Sequence, residues 1–306
     1  MRRHRALTIL LVGAAFVLAA CGGGGGGGTS SSQPAQGDVE QQLGFDQASL
    51  DARLSRAESR VRDCMKAQGF EYVPIDPVAQ RAALFGSGDV REQERQFGYF
   101  VTTLWGRGRP ETDPNQRIRT SLGTADRTAY DRALGGDNPG ARFQDAFDTG
   151  DFTKLGGCRR NAIEAVFGGA QVLTEIQGKL DQLDERIVQD QRMVKATERW
   201  SACMAKAGYH YTDPDAIDID LGKRLEKIVG PVPGKFQTGP PPGTPPRPYD
   251  HAALAALQRE ELATWRADNA CEHRYITPVE SVVRAQYERA FRERNSGLFR
   301  EVKPVR

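Results

Sequence analysis

The sequence predicts a mainly α fold: two similar helical units in tandem, each holding a disulfide, joined by a long helix and interrupted by long Gly/Pro-rich loops. Three observations carry that expectation. The pattern C-M-x-x-x-G-(F/Y)-x-Y occurs twice, from Cys64 to Tyr72 and from Cys203 to Tyr211. Apolar residues at three- and four-residue steps, closed by glycine, dominate over strand-like alternation. The chain has 5 cysteines, and setting Cys21 apart leaves an even set: Cys64, Cys158, Cys203 and Cys271.

The chain opens with Arg2, Arg3 and Arg5, an uncharged apolar run from Ala6 to Ala20, and then Cys21. Residues 1–20 read as a signal peptide, too short for a spanning helix. Leu18-Ala19-Ala20-Cys21 matches the lipobox of bacterial lipoproteins. In that motif the cysteine receives a diacylglyceryl thioether, and two or three acyl chains at about 0.8 kcal/mol per buried CH₂ hold a protein stably on a membrane. Residues 21–45 form a lipidated cysteine and a flexible tether rich in Gly and Ser. A linker of this composition averages about 25 Å end to end. Its glycine run is not a phosphate-binding loop, because no strand precedes it and no Gly-Lys-Ser/Thr follows. The formal charge of +2 includes Arg2, Arg3 and Arg5, so the chain without residues 1–20 is slightly acidic. That removes the electrostatic case for nucleic acid.

Residues 46–169 form the first expected unit. Leu50, Leu54, Ala57, Val61 and Cys64 share one helical face, so the cysteine points at the core. Gly69 is placed to end the helix in a left-handed conformation, with Phe70 folding back over the last turn. Tyr72 then lies on the same side as Phe70 in a short extended segment running to Pro74, an aromatic pair that fills core space. A helix is expected over Val90–Trp105, with Phe97, Phe100, Val101 and Leu104 on its apolar face, and a second over Asp126–Leu134, ended by Gly135-Gly136. A third opens at Gly157-Cys158, presents Ala162, Ile163 and Val166, and closes at Gly168-Gly169.

Residues 170–306 form the second unit. Leu173, Ile176, Leu180, Leu183, Ile187 and Val194 recur at coiled-coil spacing, which predicts one long helix from Ala170 to Ala207 that packs against helices of the same chain. It ends at the second motif copy, with Gly208 as its terminator and Tyr209 and Tyr211 as the aromatic pair. Asp213, Asp215, Asp218 and Asp220 read as a solvated loop, since an EF-hand would also need its central glycine and distal glutamate. Residues 230–248 are a proline-rich spacer. Asp250 caps a helix that presents Leu254, Leu257 and Trp265 and delivers Cys271. Thr277-Pro278-Val279-Glu280 reads as a capping box, opening a last helix with Val279, Val282, Val283, Tyr287, Ala290, Phe291 and Leu298 inward.

An even number of cysteines in an exported chain predicts disulfides. Of the three possible pairings the duplication favours Cys64 with Cys158 and Cys203 with Cys271. Ile163 and Val166 follow Cys158 at the spacing at which Ile276 and Val279 follow Cys271. Each bridge closes a long loop and contributes about 4 kcal/mol at most in the chain-entropy account. No C-x-x-C occurs, so a dithiol oxidoreductase motif is missing. Cys271-x-His273 lacks the second Cys/His pair that a zinc site needs, and no cofactor motif is present.

The lipobox, the Cys-Met-x-x-x-Gly-aromatic-x-Tyr motif and the later Gly156-Gly157-Cys158 helix together resemble a group of uncharacterised secreted lipoproteins of actinobacteria. The excess of Arg over Lys, 33 to 9, suits a GC-rich genome of that kind. The resemblance implies export and a lipid anchor on the outer face of the cytoplasmic membrane; it brings no catalytic residues. Two function classes follow. One is a non-catalytic envelope lipoprotein that binds an envelope protein, wall polymer or small ligand at the cell surface. The other is an envelope hydrolase with a carboxylate pair that no Gly-x-Ser-x-Gly elbow or Ser-His-Asp context marks.

Overall fold

The structure is a computed structural model and describes residues 39–86, 90–106, 113–143, 146–147, 150–232, 239 and 247–301. The expected signal peptide, Cys21, most of the tether and most of the proline-rich loop lie outside the described residues. The chain forms α1 (Val39–Leu43), α2 (Gln47–Ala67), α3 (Pro77–Phe85), α4 (Val90–Phe97), α5 (Asn115–Ser121), α6 (Thr124–Gly135), a 3-10 turn at Phe152–Lys154 and α7 (Gly157–Phe167). It continues through α8 (Ala170–Gln189), α9 (Gln191–Lys206), α10 (Asp215–Val229), α11 (His251–Tyr275), α12 (Thr277–Arg294) and α13 (Leu298–Glu301). No strand occurs among the described residues, so the fold is mainly helical, and both disulfides are the expected ones, Cys64–Cys158 and Cys203–Cys271.

Two compact units are present, and they interleave along the chain. Unit 1 takes residues 1–77, 115–181 and 288–306, and unit 2 takes 78–114 and 182–287. The chain therefore changes unit four times, at residues 77/78 and 114/115, inside α8 at 181/182 and inside α12 at 287/288. A carboxylate ties part of residues 78–114 into unit 2. Glu261 on α11 binds the backbone of Val101 to Thr103, which ties the 98–103 segment to the second disulfide helix.

In unit 1, α2 begins at Asp46, whose carboxylate accepts from the Ser49 N–H at 3.1 Å, an N-cap that satisfies one of the orphan donors of the first turn. Its inward face carries Leu50, Ala57, Val61 and Met65. At the other end Gly69 takes φ 84, the Phe70 N–H reaches the Met65 carbonyl and the Gly69 N–H reaches the Lys66 carbonyl. This paired arrangement satisfies the last carbonyls. The segment beyond is held by Asn115, whose side chain accepts from the Val73 N–H and donates to the Val73 carbonyl, in the manner of a strand neighbour. Tyr72 is buried and donates to Glu58, while Phe70 meets Tyr130 edge-on at 5.5 Å between ring centres. The α5–α6 pair is clamped by Arg119, which binds both oxygens of Asp131 at 2.6 Å. Buried Arg53 sits against the rings of Phe45 and Phe167, so a charged residue packs as a flat aromatic partner would.

In unit 2 the cap recurs atom for atom. Gly208 takes φ 91, the Tyr209 N–H reaches Met204 and the Gly208 N–H reaches Ala205. Trp200 is fully buried on α9 beside α11. The partner helices, however, run in opposite senses. Arg53 meets Phe167 and Cys64 meets Cys158, so α2 and α7 are antiparallel. Trp200 meets Asp268 and Cys203 meets Cys271, so α9 and α11 are parallel. The duplication is therefore a property of the first cysteine helix and its cap. Ile163 lies mid-helix, whereas Ile276 sits at the junction of α11 and α12, although the two match in sequence spacing.

Several expected elements differ. The helix expected over Ala170–Ala207 breaks at Asp190, which accepts from the Arg192 N–H and starts α9 afresh. The register then slips, burying Met193 and leaving Val194 37 % exposed. The helix expected to reach Trp105 stops at Phe97, because Gly98 and Phe100 take φ 66 and 61. The aspartate cluster is not a loop: Asp215 and Asp218 form the first turn of α10, where negative charge is favoured by the helix dipole. In α12 Val283, Glu288 and Phe291 are buried, and Val282 is 62 % exposed. Thr277 lies inside that helix, whose first bonds go to the Ile276 carbonyl, so the capping box does not form.

Candidate functional site

Two places in the described residues concentrate chemistry, one in each unit. The first is an open groove of about 630 Å³ over the Cys64–Cys158 bridge. Its floor is shallow in side chains because α6 presents Ala125, Ala129 and Ala133 at four-residue intervals, with Gly157 opposite. Its polar groups are Thr128, Arg132, Gln68 and Asn161, and Phe70 supplies an aromatic wall. The Asn161 amide donates to Cys64 Sγ at 3.8 Å. The groove is shaped by a close crossing of α6 and α7. A Cβ on Gly156 would lie 2.3 Å from the Gly135 carbonyl oxygen, and one on Gly157 would lie 2.4 Å from that of Ala133. Arg159 donates to the Pro139 and Ala141 carbonyls, fixing the loop that follows α6. The lining includes no carboxylate and no histidine. It offers one cation, amides, a hydroxyl and a disulfide, which suits binding and thiol chemistry better than general acid–base work.

The second place is a ladder of polar groups on the inward face of α11. Glu261 is fully buried and accepts from the N–H groups of Val101 (3.0 Å), Thr102 (2.6 Å) and Thr103 (3.2 Å) and from the Thr102 hydroxyl (2.5 Å). Gln258 donates to the carbonyls of Thr102 and Trp105. One turn on from Glu261, buried Thr264 has a hydroxyl with no hydrogen-bond partner. Asp268 follows, accepting from the Tyr99 hydroxyl and the Trp200 indole N–H, both at 2.7 Å. Burial raises the carboxyls of Glu261 and Asp268 above their ordinary range, against the lowering effect of these donors. Burial and the nearby Asp268 charge likewise push the Tyr99 phenol up. The arrangement fixes a loop of unusual backbone conformation onto α11. Its carboxylate oxygens are taken by protein donors, so it is built as an internal clamp.

Of the residues singled out by sequence, all four disulfide cysteines are brought together in pairs, and Cys21 lies outside the described residues. The Cys271 sulfur is in a bridge, which removes it as a partner for His273 in metal binding. No group of three or more His, Cys, Asp or Glu side chains that could hold a metal ion occurs among the described residues. No described helix is long and apolar enough to cross a membrane. Glu261 and Asp268 were not among the sequence candidates, although Leu254, Leu257, Glu261, Thr264, Asp268 and Cys271 form one stripe at three- and four-residue steps. Two acids at core positions of an apolar stripe were the available signal. No protein-family model matches the chain, and no curated protein or solved structure matches it.

Proposed function

We propose that this chain is a cell-envelope lipoprotein of the actinobacterial type, anchored through Cys21 to the outer face of the cytoplasmic membrane, and that its helical body is a non-catalytic binding or accessory module. The observation that carries the reading is the agreement of two independent signs of export. A lipobox closes an apolar leader at Cys21, and the four remaining cysteines form two disulfides, as expected of chains that fold in an oxidising compartment. A binding role is supported by the open, carboxylate-free groove of unit 1, which has the character of a contact surface for an envelope protein or wall polymer. The hydrolase alternative would need converging acids in a cleft, and the most buried acids of unit 2 are engaged by protein donors. Cys21→Ala tests the anchor. The variant is expected to leave the membrane fraction on cell fractionation while wild type remains. Equal retention of both would overturn the reading.

A further inference from the structure

The two disulfides differ in their surroundings, and the difference has a chemical consequence. Cys158 is 2 % exposed and lies in the first turn of α7. That helix is capped by Gly156, which offers no side-chain acceptor, and its first turn holds no acid. Arg132 of α6 lines the same groove. Asp63, next to Cys64 on α2, is taken up by Arg62. Helix N–H groups and positive charge stabilise a departing thiolate. Cys64, half-buried, is the more open of the two sulfur carriers. Cys203 and Cys271 lie toward the C-terminal ends of α9 and α11, where the helix dipole disfavours negative charge. Glu272 follows Cys271 directly.

We propose that Cys64–Cys158 is a thiol-exchange site, entered through the groove of unit 1, with a small-molecule or peptide thiol as its co-reactant. An external thiolate attacks Cys64 Sγ, an S–S bond forms between them, the Cys64–Cys158 bond breaks, and the electron pair leaves on Cys158. A second thiolate then attacks the sulfur of the first thiol in the mixed disulfide. It releases Cys64 as a thiolate and carries away the two thiols as their disulfide, so that two thiols are oxidised and one bridge is reduced. The sulfur held at the helix N-terminus is the better-stabilised leaving thiolate, which favours this direction of attack over the reverse. The proposal does not depend on how the chain is anchored.

The test uses the full chain in detergent at pH 7. It is treated with dithiothreitol for increasing times, quenched with acid, alkylated and mapped by peptide mass spectrometry. The Cys64–Cys158 bridge is expected to open on the order of tenfold faster than Cys203–Cys271. Glutathione in place of dithiothreitol is expected to be trapped on Cys64, with the alkylating agent on Cys158. Equal opening of the two bridges, earlier opening of Cys203–Cys271, or glutathione on Cys158 would overturn the proposal. Ala129→Phe, a change at an exposed groove position, is expected to slow exchange at Cys64–Cys158 several-fold and leave the other bridge unchanged. An unaltered rate in that variant would show that the groove is not the route.

Discussion

Replacing Glu261 with Ala should release the 98–103 segment from α11 and lower the stability of unit 2 by about 3–5 kcal/mol. The figure follows from the bonds removed. Three backbone N–H groups and one hydroxyl, at 2.5 to 3.2 Å from the carboxylate, lose their acceptor in a site with no exposure at Glu261. Hydrogen bonds to charged groups contribute about 1.5–3 kcal/mol each, and orphaned buried donors cost about 1–3 kcal/mol apiece. The full sum is not reached, because the variant no longer buries a carboxylate and water enters the vacated volume. Phe100 adds to the effect. Its φ of 61 is a left-handed conformation that costs a non-glycine residue about 1–2 kcal/mol, and Glu261 anchors the three residues that follow it. Gln is the informative comparison: it keeps one acceptor oxygen but turns an NH₂ toward the backbone N–H groups, so an intermediate loss of about 2 kcal/mol is expected. Urea unfolding followed by circular dichroism gives the energies, and hydrogen exchange at Val101, Thr102 and Thr103 locates the change. A loss below about 1 kcal/mol in the Ala variant, with protection at those amides intact, would refute the clamp.

The remaining predictions concern acidity and backbone space. Glu261 and Asp268 are raised above their ordinary range by burial, so the folded state holds protons that the unfolded chain has released. Their contribution to stability is full below the ordinary carboxylate range and is lost as pH rises through their raised values. The fall in unfolding free energy over that window should shrink in Glu261→Gln and again in Asp268→Asn, as measured by urea titrations at several pH values; an unchanged slope would count against it. Gly157→Ala should lower the melting temperature markedly, by about 2–3 kcal/mol in stability, because its Cβ would strike the Ala133 carbonyl and its φ is 53. Gly69→Ala, with φ 84 and open space around the added methyl, should lose only the left-handed penalty of about 1 kcal/mol. Equal losses at the two glycines would show that the α6–α7 crossing is looser than its geometry.

The features legible in the sequence were those decided within a few residues. The glycine caps at Gly69 and Gly208 needed only a residue that tolerates positive φ and an aromatic to follow it, and both formed as expected. The pairing of cysteines was reached through the repeat, and it holds even though α7 and α11 run in different senses beside their partners. Local rivalry between signals misled elsewhere. At Asp190 the apolar stripe runs on from Ile187 to Val194, but the aspartate side chain competes for the Arg192 N–H and restarts the helix. At Asp215 and Asp218 the acids looked like loop residues, yet Ile217, Leu221, Leu225 and Val229 form a buried stripe that outweighs them. The groove and the Glu261 clamp were not legible as sites. The clamp joins residues about 160 positions apart, and such a contact leaves no local trace beyond an acid on an apolar face.

The central claim, a disulfide-bearing helical module held on the membrane by Cys21, is tested most directly by the mass of the N-terminal proteolytic fragment of the protein isolated from cell membranes. The account predicts a fragment that begins at Cys21 and carries a diacylglyceryl group, without residues 1–20. A fragment that begins elsewhere, or one that begins at Cys21 with an unmodified thiol, would contradict it.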